Sequence, residues 1–386
     1  MKLKYFIGLV LIQAVSFTVI AQDAAILKIP AGKDYLLPVQ KALPGIYNGA
    51  LKIRAENGFS GRIELYPEFY TAAGKFIGNP FSRILAPGKE WTEVPYTFIL
   101  PDDAASFQIK AKVKGTGNAE ICFHSLPKRD GAFFGRHSFL SVAPAKKGFL
   151  VSSSAFQIQF ADLARFFTPC SLSVGEKKLL NSVYLVSLRA DKKSSAEYTP
   201  QSGNVEKITV SDDNEAVTFR FDCVWETLRY SRMVSFYKDK PYLKLFYDLT
   251  AVKDFFSVDL SLAVDASGEL NMLVVKHGAA ASFRPWEKPR WFSISRPDQD
   301  RWVAWCNREN NLGVAVIGAD PDSWKDFYSR LMCSMRKDGG FHLDLEKWKK
   351  KEIRKGDTTS IEIFIAVLNG PAEQKAAALQ KSICGE

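Results

Sequence analysis

Hydrophobic and polar positions alternate in short runs through the first third of the chain. Leu51, Ile53 and Ala55 share one face, Ile63 and Leu65 another, and Phe107, Ile109, Ala111 and Val113 a third. The back of that last run is Gln108, Lys110, Lys112 and Lys114. A period of two with one wet face predicts antiparallel strands covered on one side only. Glu56-Asn57-Gly58, Ala86-Pro87-Gly88, Pro101-Asp102-Asp103 and Gly115-Thr116-Gly117-Asn118 punctuate the runs as turns, the last as a hairpin. Residues 24–126 therefore read as a β-sandwich. Residues 127–148, rich in Gly, Pro and Lys, show no period and read as a linker.

From 149 to 383 the predicted strands are longer. Thr218 to Trp225 and Tyr242 to Leu249 alternate, and Val258, Leu260, Leu262 and Val264 oppose Ser257, Asp259 and Ser261. Leu312 to Ile317 and Ile361 to Leu368 are continuously apolar, as strands covered on both sides would be. Two short helices interrupt. Asp320-Pro321 supplies a start for Trp324, Phe327, Tyr328, Leu331 and Met332 at helical spacing, and Pro371 starts a second with Ala376, Ala377 and Leu379. The expected fold class is all-β: an N-terminal sandwich followed by a larger antiparallel supersandwich with two short helices.

Composition fits this picture. The chain has 386 residues, 46% hydrophobic and 24% charged, too apolar for a disordered chain and long enough for two or three domains. Lys2 and Lys4 precede an apolar run from Phe6 to Ile20 that closes on Val19-Ile20-Ala21. That pattern predicts a signal peptide, residues 1–21, cleaved after Ala21, and a secreted or periplasmic mature protein with no membrane span. The net charge of +10 falls to +8 without Lys2 and Lys4. Six widely spaced cysteines dictate no disulfide pairing and no metal site, and Cys223, in phase with Phe219 and Phe221, reads as a buried free thiol.

Short motifs carry two resemblances. Glu90-Trp91-Thr92-Glu93-Val94-Pro95, Ile99-Leu100-Pro101, Phe107-Gln108-Ile109-Lys110 and Gly115-Thr116-Gly117 resemble the second half of jelly-roll carbohydrate-binding modules. Where that family often carries an acidic pair, this chain has Cys122-Phe123-His124. Val234-Ser235-Phe236-Tyr237, Pro241-Tyr242-Leu243-Lys244-Leu245, Trp305-Cys306, Leu312-Gly313-Val314-Ala315-Val316 and Lys355-Gly356-Asp357-Thr358 resemble the galactose mutarotase-like supersandwich of sugar epimerases, polysaccharide lyases and hydrolases. The second resemblance implies a sugar ligand and, in true mutarotases, two histidines and a carboxylate. Of the four histidines, His277 lies where such a residue is expected. His342 follows the predicted helix, and His124 and His137 lie upstream of the region.

The densest chemical signal runs from Phe283 to Trp305. Trp286, Trp291, Trp302 and Trp305 alternate with Arg284, Lys288, Arg290, Arg296 and Arg301, and prolines 285, 289 and 297 make much of it loop. Indole faces stack on sugar rings, and guanidinium forks pair with carboxylate or sulfate. Arg284, Trp286, Arg290, Trp291 and Arg296 are accordingly the substrate-binding candidates, and a structural lid is the alternative. Trp302 and Trp305, just before a predicted strand, are expected to belong to that lid. A second cluster, Trp225 to Arg232, offers Glu226, Tyr230 and Arg232, with His277, for proton transfer beside a uronate. Its alternative is a polar hairpin with Glu226 paired to Arg229 or Arg232.

No metalloprotease, nucleophile-elbow, P-loop or dinucleotide motif is present, so no cofactor is indicated; Gly115-Thr116-Gly117 has neither a third glycine nor a helix behind it. The cations are dispersed, which argues against nucleic acid and leaves carbohydrate as the expected partner, with acidic polysaccharide the anionic choice. The leading expectation is a secreted carbohydrate-binding protein in polysaccharide recognition or degradation. The competing one is a polysaccharide lyase or other carbohydrate-active enzyme using the supersandwich cleft, and the third is a structural envelope protein.

Overall fold

The computed structural model describes residues 25–78, 83–123, 126–128, 133–145, 148–161, 171–191, 194–198, 204–224, 227–277, 280–295, 300–319, 324 and 330–385. The segment expected to be a signal peptide lies outside them. The described residues form four antiparallel sheets and a C-terminal helix, so the all-β expectation holds.

Two sheets make a smaller sandwich. One has four strands in the order Ala25–Pro30, Asn118–Phe123, Gly45–Ala55, Thr92–Leu100. The other is built on Ser60–Tyr70 and Ser106–Thr116. Tyr47 and Phe98 of the first stack on each other and meet Phe107 and Phe69 of the second at centroid distances of 4.8–5.5 Å. Residues 115–118 are not a hairpin. Ser106–Thr116 and Asn118–Phe123 belong to different sheets, so the chain turns a corner between them. The corner is tight: Gly115 has φ +115°, and a Cβ there would stand 2.0 Å from the Ser60 carbonyl oxygen. Only glycine fits.

A nine-stranded and a twelve-stranded sheet form the larger sandwich. Phe149 of the twelve-stranded sheet meets Phe221 of the other at 6.4 Å, and Phe156 meets Phe236 at 6.1 Å. Part of the stretch read as linker is strand: Gly135–Arg136 and Ser141–Ala145 pair in succession onto Gly148–Ser152 at the edge of the twelve-stranded sheet. Thr97 of the smaller sandwich donates to the Glu206 carbonyl oxygen at 3.2 Å, joining the two sandwiches.

The helix Ala372–Cys384 packs on the outer face of the nine-stranded sheet, which explains the continuous apolar runs. Val314, Val316, Ile361, Ile363 and Ile365 point into the space between the sheets. Ala315, Ile317, Phe364, Ala366 and Leu368 meet the helix through Ala372 and Ala376. Asn310 Oδ1 accepts from the Ala372 amide at 2.9 Å, and Gly385 closes the far end in the left-handed conformation. The helix expected at 320–332 falls largely outside the described residues, but its last apolar positions, Leu331 and Met332, belong to the strand Arg330–Met335. Trp302 and Trp305, expected in a lid over the sheet, are instead fully buried within the strand Trp302–Cys306, in the interior of the nine-stranded sheet.

The Trp- and Arg-rich segment is mostly strand rather than loop. Ala280–Pro285 is the last strand of the nine-stranded sheet and Arg290–Ser295 the last of the twelve-stranded one. Pro285 and Pro289 bracket the passage between them, at sheet edges where a missing N–H is tolerated.

Candidate ligand-binding site

The outward face of the twelve-stranded sheet carries the most concentrated chemistry among the described residues. In Phe341–Glu346, Phe341, Leu343 and Leu345 point to the core, so His342, Asp344 and Glu346 point outward. Cross-strand register then assembles a row. Trp291 lies opposite Ser334, Ser334 opposite His342, His342 opposite Asp265, and Asp265 opposite Ser182. Directly opposed residues share a face, so five strands contribute one side chain each. Ser334 is small, which lets the Trp291 ring reach over it to His342, edge to face at 5.7 Å. Trp291 remains 64% exposed.

Asp265 is the hub of the row. It accepts from Ser182 Oγ at 2.6 Å, His342 Nδ1 at 2.6 Å and Arg336 Nη1 at 2.7 Å. His342 Nε2 meets Asp344 Oδ1 at 3.1 Å. Burial alone would lower the imidazole, but the Asp265 and Asp344 carboxylates outweigh it and hold His342 up to about 9. Burial alone would raise Asp265, but His342, Ser182 and Arg336 bring it down to about 2. Near neutral pH the pair is therefore an imidazolium and a carboxylate, a fixed donor–acceptor array.

Farther along the same face stand Asp259, Ser261 and Glu346. Ser261 lies opposite Glu346, and Asp259 is two residues on. Burial, then the Glu346 and Asp344 charges, pushes Asp259 up to about 7. Lys349 pairs with Glu346. Asp259 Oδ1 and Ser261 Oγ are sealed from solvent without a well-formed hydrogen bond. The Ser261 hydroxyl is nonetheless close enough to ease ionisation of Asp259 slightly.

The residues singled out in sequence are only partly brought together. Trp291 is on this face. Trp286 supports it from behind, its indole N–H donating to the Arg336 carbonyl oxygen at 3.0 Å. Arg290 pairs with Glu287 at 2.8 Å, and the Arg284 guanidinium lies 4.6 Å from the centre of the Phe292 ring, so both arginines have local partners. Tyr230 and Arg232 point between the sheets, 3% and 2% exposed, with Arg232 over Phe221 at 4.6 Å. The Glu226 half of the expected hairpin pair lies outside the described residues; the exposed Arg229 approaches Glu206 at 3.7 Å. His277 ends the strand Met272–His277, and its side chain, like Glu226 and Arg296, lies outside the described residues. His137 is buried and contacts the Phe133 carbonyl at 3.2 Å, a core role.

Sequence reasoning missed Asp265, His342, Asp344 and Arg336. One signal was available: Phe341 to Glu346 alternates apolar residues with three titratable ones. Among the described residues no group of three or more His, Cys, Asp or Glu is placed to hold a metal ion. Five described cysteines, Cys122, Cys223, Cys306, Cys333 and Cys384, are free thiols, and burial pushes Cys223 up to about 11. No described helix is long and apolar enough to cross a membrane.

No protein-family model matches the chain, and no curated protein sequence matches it. Among solved structures it is similar to a GH36 alpha-galactosidase from Geobacillus stearothermophilus, over 48% of this chain and 30% of that one, at 8% identity and a TM-score of 0.37. A galactose mutarotase-like protein from Clostridium acetobutylicum aligns over 57% of this chain and 95% of its own, at 8% identity and a TM-score of 0.40. A glycosyl hydrolase family 38 protein from Enterococcus faecalis aligns over 94% of this chain and 45% of its own, at 9% identity and a TM-score of 0.40.

Proposed function

We propose that this is a carbohydrate-binding protein whose ligand lies on the outward face of the twelve-stranded sheet. One observation carries the reading: the largely exposed Trp291 ring stands at the end of a row in which His342, Asp265 and Asp344 are locked in a charged hydrogen-bonding array. A flat apolar ring beside fixed donors and acceptors suits a sugar, which offers C–H faces and hydroxyl edges together. The described charges of this face nearly balance, with Asp259, Asp265, Asp344 and Glu346 set against His342, Arg336 and Lys349, and Asp259 is half neutral near pH 7. That balance supports an uncharged saccharide here over an anionic one. Export after cleavage near Ala21, two sandwich domains, the second taking in the strands at 135–136 and 141–145, and work in polysaccharide recognition or degradation complete the proposal.

Affinity electrophoresis through gels containing neutral and acidic polysaccharides tests it. The folded protein is expected to be retarded by at least one neutral polymer, and Trp291→Ala to run free. Absence of retardation on every polymer overturns the reading. The enzymatic alternative is favoured by Asp259, whose position near 7 suits proton transfer. A reducing-end assay on the retarding polymer separates the two, since a binding protein releases no new ends.

A further inference from the structure

Residues 32–43 form an open edge of the smaller sandwich. Asp34–Leu36 and Gln40–Lys41 both pair with Ser106–Thr116, and no described strand lies on their other side. Only Leu37 of this run is buried. Four of the nine exposed large apolar side chains among the described residues fall here: Tyr35 (39%), Leu36 (50%), Val39 (58%) and Leu43 (70%). Apolar groups gathered on an unpaired strand mark a contact surface.

A bulge decides what this edge can meet. The Leu37 amide donates to the Ile109 carbonyl at 2.8 Å, and the Ala42 amide to the Ala105 carbonyl at 3.0 Å. Gln40 lies opposite Phe107, so Pro38 and Val39 together face Gln108. The extra residue resets the phase of the strand. Before it, Tyr35 and Leu37 turn their backbone groups toward the neighbouring strand, and Asp34 and Leu36 turn theirs to the open side. After it, Gln40 and Ala42 turn inward, and Val39 and Lys41 turn outward. The open side therefore reads acid, leucine, valine, base.

We infer that this edge is an interface between two copies of the chain, paired antiparallel about a two-fold axis between Leu37 and Pro38. In that register Leu36 of each copy lies opposite Val39 of the other, and Asp34 opposite Lys41, so the six-stranded sheet continues from one copy into the next. A two-fold contact needs a surface that complements itself, and this run does so in backbone phase, apolar content and charge together. Asp34 already holds Lys110 at 2.9 Å, with Lys112 at 3.8 Å, so its contact with Lys41 fixes register more than it adds strength. Pro38 has no N–H to offer, but it falls opposite Leu37. The Leu37 amide and carbonyl are engaged within their own sheet, by Ile109 and by the Gln108 side chain at 2.7 Å, so no cross-copy bond is lost there.

Sedimentation equilibrium of the whole chain tests the interface. A monomer–dimer equilibrium is expected, with a Kd on the order of 10 µM for a contact of small area. Val39→Lys and Leu36→Lys, both at exposed positions, should each raise that Kd by about 10-fold or more while the circular dichroism of the folded chain is kept. Ile26→Lys, at an exposed apolar residue of the other sheet, should leave it unchanged. A second measurement reads the register. Leu36→Cys protein mixed with Val39→Cys protein should give a disulfide-linked dimer on mild oxidation, above the level of the unsubstituted chain. Either variant alone should not, because like positions stand about 10 Å apart along the ladder, beyond the reach of a disulfide. A chain that stays monomeric at ~200 µM overturns the interface, as does a dimer that survives both lysine variants. Linkage of either cysteine variant alone as efficient as that of the mixture overturns the register. None of these outcomes bears on the saccharide reading.

Discussion

His342 Nδ1 stands 2.6 Å from Asp265 Oδ1, each residue directly opposite the other on neighbouring strands. The contact makes stability depend on pH in two directions. His342 has its folded value raised from 6.5 to about 9, so its contribution is complete below 6.5 and is lost as pH rises through 9. Asp265 has its value lowered from 3.8 to about 2, so its contribution is complete above 3.8 and is lost as pH falls through 2. Counted once, because one hydrogen bond underlies both shifts, the pair is worth on the order of 3 kcal/mol. The pair's share, read as the difference in urea stability between the unsubstituted protein and His342→Ala from pH 2 to pH 10, is expected to show a broad plateau that declines at both ends.

Asp259 acts with the opposite sign. Its folded value is raised from 3.8 to about 7, so between those limits the unfolded chain releases a proton that the folded chain keeps. Stability therefore falls as pH rises from about 4 to 7. Asp259→Asn removes the titration. Relative to the unsubstituted protein, the variant should gain melting temperature from pH 4 to pH 8, by ~2–4 °C for each kcal/mol recovered. Asp265→Asn should instead lose melting temperature at both pH 4 and pH 8, because its contribution is complete above 3.8. Thermal melts at the two pH values decide both, and variants that shift in the same direction would refute the assignment of Asp259 as the strained carboxyl.

These two aspartates also mark where the sequence was readable and where it was not. Strand periodicity separated Leu260, Leu262 and Val264 from Asp259 and Ser261, and the fold keeps that division. The runs at 312–317 and 361–368 announced a cover on both faces, and the C-terminal helix supplies the second. What periodicity lacks is partners. His342 meets Asp265 across 77 positions of chain, through a register that neither strand displays alone. Arg336 joins them from a third strand's end. Arg232, a candidate for proton transfer or for a surface ion pair, falls on the core-facing phase with Val234 and Phe236. The short strands at 135–136 and 141–145 have too few residues to show a period, and they read as linker.

Gly115 is predicted to be among the least replaceable positions of the smaller sandwich. Alanine there would set its Cβ 2.0 Å from the Ser60 carbonyl oxygen, against rigid strand backbone, with φ at +115°. Neither the clash nor the dihedral can be relieved by a side-chain rotation. Gly115→Ala should cost at least about 2 kcal/mol. Gly175→Ala, at a turn with open space around its Cβ and a φ of +55°, should cost less. Chemical denaturation of the two variants compares a clash plus strain with strain alone. Equal losses would show that the corner between the two sheets yields to an added Cβ.

Trp286 and Trp291 are five residues apart and should answer to different measurements. The Trp286 indole N–H donates to the Arg336 carbonyl oxygen, and the Arg336 side chain in turn holds Asp265. Trp286→Phe keeps most of the ring and deletes that hydrogen bond, so about 1 kcal/mol of stability should go. Trp291 is largely exposed and its ring touches His342 edge-on. Trp291→Ala should leave the melting temperature within about 1 °C, since surface substitutions away from such features stay within roughly 0.5 kcal/mol. Saccharide binding should nevertheless fall by the ~0.5–1.5 kcal/mol of one stacking contact, about equally at low and high salt. Arg290→Ala supplies the contrast. Arg290 is engaged with Glu287 at the surface, so its loss should move stability by at most about 0.5 kcal/mol. Any effect on binding should shrink as added salt shortens the screening length to below ~8 Å. Melting curves and affinity electrophoresis of the three variants at two salt concentrations make the comparison. A stability loss in Trp291→Ala with retardation unchanged would reduce this face to a lid over the sheet and remove the ground for a ligand there.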